Sequence, residues 1–268
     1  MFNKNYKGIE KMNKIISIAN QKGGVGKTTT CINLAASLAL QKKILVIDLD
    51  PQGNATMSSG ISKFELQKSA FDLLVNNTNI NDVIIKDTTG GYDIIPSNSD
   101  LTIAEVDLLK KIGRENILKR ALDQIKDQYD YILIDCPPSL NLLTINALSA
   151  SNSIIVPMQC EYFALEGLTD LMDTISQIKN NINPQLEIEG LLRTMFDHRA
   201  NLSREVSDEL KKGGFNIYKT IIPRNIKLAE APSFGKPALH YDKSSLGARA
   251  YLALAGEILK NEKMKKDI

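Results

Sequence analysis

The chain has 268 residues, 43% hydrophobic and 24% charged, a composition that suits a globular protein with one large core. No apolar run approaches the ~18 residues of a membrane span. The N-terminal stretch MFNKNYKGIEKMNK has no hydrophobic core segment, so no secretory signal is expected. Aromatic residues are 6% and Trp is absent, which argues against an aromatic platform for single-stranded nucleic acid. The three cysteines, Cys31, Cys136 and Cys160, lack metal-ligand spacing and are expected as reduced thiols.

The net charge of +2 conceals an asymmetry. Residues 190–268 hold 15 Lys/Arg and 9 Asp/Glu, a net of +6, and the preceding residues carry a net of −4. A basic C-terminal third on an acidic body suits a polyanion, although a mixed solvated surface would give the same count.

Residues 1–12 read as a disordered, basic and dispensable tail, and residues 13–268 as a single domain. Short Ile/Leu/Val-rich runs predict buried strands at Lys14–Ala19, Lys43–Asp48, Tyr92–Pro96, Tyr131–Asp135, Ser153–Pro157, Ile188–Met195 and Ile217–Ile222. Helical patterns fill 27–41, 101–127, 141–150, 163–180, 202–213 and 245–262. The alternation predicts an α/β fold, a mainly parallel twisted sheet with helices on both faces.

Between the first strand and the first helix, Gln21–Thr30 reads QKGGVGKTTT. That context is the one a phosphate-binding loop requires. Gly23, Gly24 and Gly26 allow a tight turn whose amides, with that of Val25, point inward at phosphate oxygens. Lys27 should reach the β- and γ-phosphates, the Thr28 hydroxyl should ligate Mg²⁺, and Thr29 can donate to the α-phosphate. Five positions before Gly26 stands Gln21, where the common pattern has Gly, and Lys22 adds a second ammonium. Asp48 and Asp50 end the second strand in VIDLDPQGNAT, and Asp135 ends another in YILIDCPPSLN. Ligands of open α/β sheets lie beyond such carboxyl ends. Asp135 is placed to hold Mg²⁺. Asp48 reads equally well as a turn or cap residue.

The extra Lys22 resembles the signature lysine of the deviant Walker A ATPases of the ParA/MinD group. The blocks NQKGGVGKTTTCINLAASLA, VIDLDPQGNAT, DCPPSLNLLTINAL, YFALEGLTDL and TIIPRNIKLAEAPSFGKPALHYDKSSLGARAY look like chromosomal ParA proteins of the Soj type. The resemblance implies a P-loop ATPase that hydrolyses ATP with Mg²⁺ and forms a nucleotide-sandwich homodimer on binding ATP. It implies Lys22, Lys27 and Asp50 as catalytic, with Lys22 crossing to the partner's ATP and Asp50 orienting the attacking water. Pro223 and Asn225 would frame the adenine. Non-specific double-stranded DNA is the implied cargo, with Arg199 and Lys227 as the leading contacts and Arg224, Lys236, Lys243 and Arg249 behind them. A ParB-like partner would stimulate hydrolysis, and the protein would be cytoplasmic and nucleoid-associated.

Three other readings share the fold. A MinD-like membrane ATPase needs a C-terminal amphipathic helix, but the tail KNEKMKKDI offers little apolar face and no stable membrane insertion is expected. A reductase ATPase needs cysteines placed to bridge a cluster. A metabolic ligase resembling dethiobiotin synthetase needs a substrate constellation that the sequence does not display.

Overall fold

In the computed structural model, residues 13–162 and 164–266 are described, and the expected tail at 1–12 lies outside them. In chain order the elements are β1 (Lys14–Ile18), α1 (Lys27–Ala39), β2 (Ile44–Asp48), α2 (Asn54–Ser58), α3 (Ala70–Leu74), β3 (Asp93–Ile95), α4 (Leu101–Leu109) and α5 (Ile117–Leu122). There follow β4 (Tyr131–Asp135), α6 (Leu142–Ala150), β5 (Ser153–Gln159), α7 (Ala164–Asn181), β6 (Glu187–Thr194), α8 (Asn201–Lys212), α9 (Ile226–Glu230), α10 (Ala238–Tyr241) and α11 (Leu246–Lys266).

The six strands pair in parallel in the order β3-β2-β4-β1-β5-β6. Alternate side chains on each strand go to opposite faces. Ile16, Ile18, Ile44, Val46, Leu133 and Ile155 join α1 and α11 in one core. Leu45, Ile47, Ile132, Ile134, Ile154 and Val156 join the helices between α3 and α8 in the other. The strands are buried on both faces, which is why they read as continuous apolar runs rather than alternating ones. Among the described residues, no helix is long and apolar enough to cross a membrane.

Two expectations fail for identifiable reasons. The long helix expected at 101–127 is broken after α4, where Gly113 takes φ +62° and 3-10 turns flank α5. The expected seventh strand, Ile217–Ile222, forms no ladder with β6 among the described residues: one isolated bridge joins Ile217 to Leu191, and another joins Pro223 to Phe196, just past the end of β6. Between them, side chains replace the ladder. The Glu257 carboxylate accepts the Lys219 and Thr220 amides at 2.8 and 2.9 Å. The buried Arg193 guanidinium donates to the Tyr218 carbonyl at 2.8 Å and to Ser207 Oγ at 2.9 Å. Backbone amides must find some partner when buried: those of Tyr218 and Ile222 donate to β6 carbonyls, and those of Lys219 and Thr220 find a carboxylate instead.

Arg193→Ala would leave the Tyr218 carbonyl without this donor and open a void under α8. It should destabilise the protein by about 2–4 kcal/mol, measured as a lowered urea midpoint at unchanged slope.

Candidate nucleotide-binding site

The parallel register sets the geometry. Ile18 of β1 and Asp48 of β2 both pair with Asp135 of β4. Three strands therefore end side by side, and the loop 19–26 starts from that edge. Asn20 fixes the loop's entry: its side chain donates to the Pro157 carbonyl at 2.8 Å and accepts the Lys22 amide at 2.9 Å. Thr194 fixes its exit, donating to the Val25 carbonyl at 2.7 Å. Gly24 and Gly26 adopt φ +72° and +88°, a region that other residues occupy only under strain. A Cβ at Gly23 or Gly24 would meet nothing within 4 Å, so the loop encloses open space. Gly26 caps α1 without a side-chain bond and no acidic residue occupies the first turn. The Thr30 amide bonds the Gly26 carbonyl at 2.9 Å, and the amides of Lys27, Thr28 and Thr29 before it have no intrahelical acceptor.

Two lysines border it. Lys27 is buried, donates to the Lys22 carbonyl at 3.1 Å, and has its pKa lowered by burial. Lys22 turns the other way and pairs with Glu161 of its own chain at 2.8 Å, both side chains being about half exposed. Nothing in the sequence pattern points to Glu161, which lies far from the loop along the chain.

The three aspartates separate by their partners. Asp48 is fully buried and saturated. It accepts the Thr56 amide and hydroxyl, each at 2.8 Å, and the Asp50 amide at 3.1 Å. Thr56 Oγ1 in turn accepts the Ser97 amide, and Ser97 Oγ donates to the Asp50 carbonyl at 2.7 Å. This closed ring makes Asp48 a brace that positions Asp50 and α2. Burial raises its pKa to about 6. Asp135 is also fully buried, yet neither carboxylate oxygen has a hydrogen-bond partner among the described residues. Burial, followed by the charge of Asp48, raises its pKa well above the usual range, while the nearby Thr28 hydroxyl and Lys27 ammonium oppose that rise. Asp50 accepts only the Gln52 amide, at 2.9 Å, through one oxygen.

A bare buried carboxylate beside a threonine hydroxyl fits a hard cation. Among the described residues no group of three or more His, Cys, Asp or Glu could hold a metal alone. A cation here would therefore complete its shell with phosphate oxygens and water, as Mg²⁺ does.

Beyond the loop lies a cavity of about 180 Å³ whose walls include Thr29, Thr194, Met195, Pro223, Asn225 and Tyr251. Asn225 occupies the N-cap position of α9 but makes no side-chain cap bond, although Asn normally does so there. Its Oδ1 is buried without a partner. Met195 holds φ +48°, an uncommon conformation for a residue with a side chain, and accepts a hydrogen bond from Gln159 Nε2. Nothing in the local sequence marks Met195 or Tyr251.

The basic candidates divide into two sets. Arg199 is chelated by Asp197, with both contacts at 3.1 Å. Lys227 pairs with Glu230 at 2.9 Å, and Glu230 also accepts from Tyr241. Arg224, Lys236, Lys243 and Arg249 are exposed and have no ion pair among the described residues. Lys236 also borders a cavity of about 280 Å³ shared with Thr28 and Asn54, next to the phosphate loop. The three cysteines are buried. Burial raises the thiol pKa of Cys31 and Cys136, and pushes that of Cys160 up to about 11, so these thiols stay protonated.

Residues 13–188 match the family model described as an AAA domain. Over 252 residues the chain is 52% identical to the sporulation initiation inhibitor protein Soj of Bacillus subtilis, covering 93% of this chain and 100% of that one. It is 46% identical over 250 residues to the chromosome-partitioning ATPase Soj of Treponema pallidum, covering 92% and 98%. Among solved structures, cobyrinic acid a,c-diamide synthase from Mycobacterium smegmatis with bound ADP and magnesium superposes with a TM-score of 0.83 at 36% identity, covering 94% and 96%. That neighbour's name belongs to a different activity, and the two Soj proteins are nearer in sequence. The chain belongs to the Soj/ParA family of chromosome-partitioning ATPases.

Proposed function

We propose that residues 13–268 act as one ATP-driven, DNA-binding switch of the partition type. The observation that carries the nucleotide assignment is the bare, buried carboxylate of Asp135 facing the glycine loop and Lys27. The amides of Gly23, Gly24, Val25 and Gly26, with Thr28 and Thr29, bind the phosphates. Lys27 neutralises the β- and γ-oxygens. Thr28 and Asp135 would hold Mg²⁺, which when bound neutralises phosphate charge. Asp50, with one carboxylate oxygen left over by its hydrogen bonding, orients a water toward the γ-phosphorus. The water oxygen bonds to that phosphorus as the bond to the bridging oxygen breaks, ADP keeps the bridging oxygen and its electron pair, a water proton passes to solvent, and ADP and phosphate leave. The adenine occupies the cavity beside Pro223, where Asn225 Oδ1 accepts from the 6-amino group.

Lys22 links hydrolysis to assembly. In the single chain it is held by Glu161; in an ATP-bound homodimer it would exchange that carboxylate for the partner's phosphates. The dimer doubles every basic patch and binds double-stranded DNA through phosphates, without reading sequence. Arg224, Lys236, Lys243 and Arg249, exposed and without an ion pair among the described residues, can do so at once. Arg199 and Lys227 must first leave Asp197 and Glu230. A ParB-like partner that stimulates hydrolysis would release the protein from the nucleoid.

DNA binding by the ATP-loaded protein across a salt series tests this reading. Lys27→Ala should weaken ATP by roughly 100-fold, as expected when one buried charge-assisted hydrogen bond is removed, and abolish DNA binding. Asp50→Ala should retain ATP and DNA while turnover falls about 100-fold or more. Arg224→Ala or Lys236→Ala should dimerise yet lower the salt slope by about 0.9 for each phosphate that is no longer neutralised. DNA binding that is equal with ATP and ADP would overturn the nucleotide gate.

The aspartates give a second test. The folded pKa values of Asp48 and Asp135 lie above the ordinary value of about 3.9, so the folded state binds protons that the unfolded state has released. In nucleotide-free, metal-free protein, stability should therefore fall as pH rises from about 4 through 6 for Asp48, and the raised pKa of Asp135 adds to that fall. Asp135→Asn should flatten that slope and raise the apo melting temperature at about pH 7.5, yet abolish the further rise that Mg·ATP gives the wild type. Calorimetric scans with and without Mg·ATP measure both.

A further inference from the structure

We infer that the opening turns of α11 position the base subsite, with Gly247 acting as a specificity-determining residue through Asn225. The inference rests on the reading that the cavity beside Pro223 receives the adenine. Two contacts tie α11 to the two halves of the nucleotide site. At Gly247 the helix backbone is pressed against the base segment. A Cβ there would lie 2.5 and 2.8 Å from two carbons of Leu228 and 3.0 Å from Asn225 Oδ1. One turn later, Tyr251 lines the same cavity and its hydroxyl pairs with Thr30 Oγ1 at 3.1 Å. Thr30 lies in the first turn of α1, directly behind Thr28 and Thr29. The helix thus touches the phosphate-loop helix with one turn and the Asn225 amide with the other.

The chemistry depends on where one oxygen stands. Asn225 Oδ1 makes neither a cap bond nor any other hydrogen bond, and it is buried. A buried acceptor without a donor is costly unless a ligand supplies one. A 6-aminopurine supplies it. A 6-oxopurine would set a second acceptor against it and leave both oxygens unpaired. Any side chain at position 247 pushes on Leu228 and on this oxygen together. Gly247 is therefore a positioning residue: it touches no nucleotide and acts through Asn225. Tyr251 sets the distance from that oxygen to the phosphate loop.

The test compares ATP, GTP and tripolyphosphate, each with Mg²⁺, on the full chain by titration calorimetry. Tripolyphosphate engages the phosphate loop and carries no base. The wild type should bind ATP at least 10-fold tighter than GTP or tripolyphosphate. Gly247→Ala should weaken ATP about 10-fold, bring it near GTP, and leave tripolyphosphate within 2-fold. KM for ATP should rise by more than kcat falls. Adding Leu228→Ala makes room for the methyl group and should recover part of the ATP preference. Tyr251→Phe, which preserves the packing, should move the ATP-to-tripolyphosphate ratio the same way by about 3-fold. Equal losses of ATP and tripolyphosphate in these variants, or no loss of ATP, would overturn the positioning role. Equal wild-type affinities for all three ligands would instead remove the base subsite itself.

Discussion

Asp48 and Asp135 stand directly opposite each other at the ends of β2 and β4, and both are fully buried. Burial raises the pKa of both, and the Asp48 charge raises that of Asp135 further. The fold resolves the conflict unequally. Asp48 receives three hydrogen bonds and becomes structural. Asp135 receives none, so its charge is compensated only partly, by Lys27 and the Thr28 hydroxyl. A site left short of positive charge in this way gains most when cations and donors arrive together, as they do with Mg·ATP. On the proposed reading, the carboxylate destabilised in the apo protein is the one that the liganded protein uses.

The same ring of bonds extends outward. Thr56 and Ser97 join Asp48 to the backbone of Asp50 and to α2. Helix α2 faces the segment that carries Lys236 across a shared cavity, so a shift at Asp50 has only one short helix to cross. On the other side, α11 joins Thr30 to the wall around Asn225. The proposed polyanion surface and the base subsite are therefore both built on elements that rest on the phosphate loop.

Charge placement refines the expected DNA contacts. Family resemblance favours Arg199 and Lys227, and each of them is paired with a carboxylate close by in sequence. Surface pairs of this kind are weak, and a dense array of phosphates can displace the carboxylate. Arg224, Lys236, Lys243 and Arg249, which have no ion pair among the described residues, need no such exchange in the proposed binding. Lys22 is paired in the same way, with Glu161, and the proposed exchange would follow the same logic.

The sequence by itself determined the strand–loop–helix of the phosphate site, five of the six strand positions to within one residue at each end, and the aspartates at their ends. Those features rest on local periodicity and on glycine geometry, which neighbouring residues dictate. It overcounted strands at 217–222, because Arg193 and Glu257, distant along the chain, take the hydrogen bonds a ladder would have made. It joined α4 to α5, because one left-handed glycine interrupts an otherwise helical pattern. Only the tertiary structure decided which aspartate is saturated and which is bare, which basic side chains are free, and that Gly247 stands against Asn225. Each of these depends on what lies across the fold, where desolvation and close packing, rather than local propensity, set the energy.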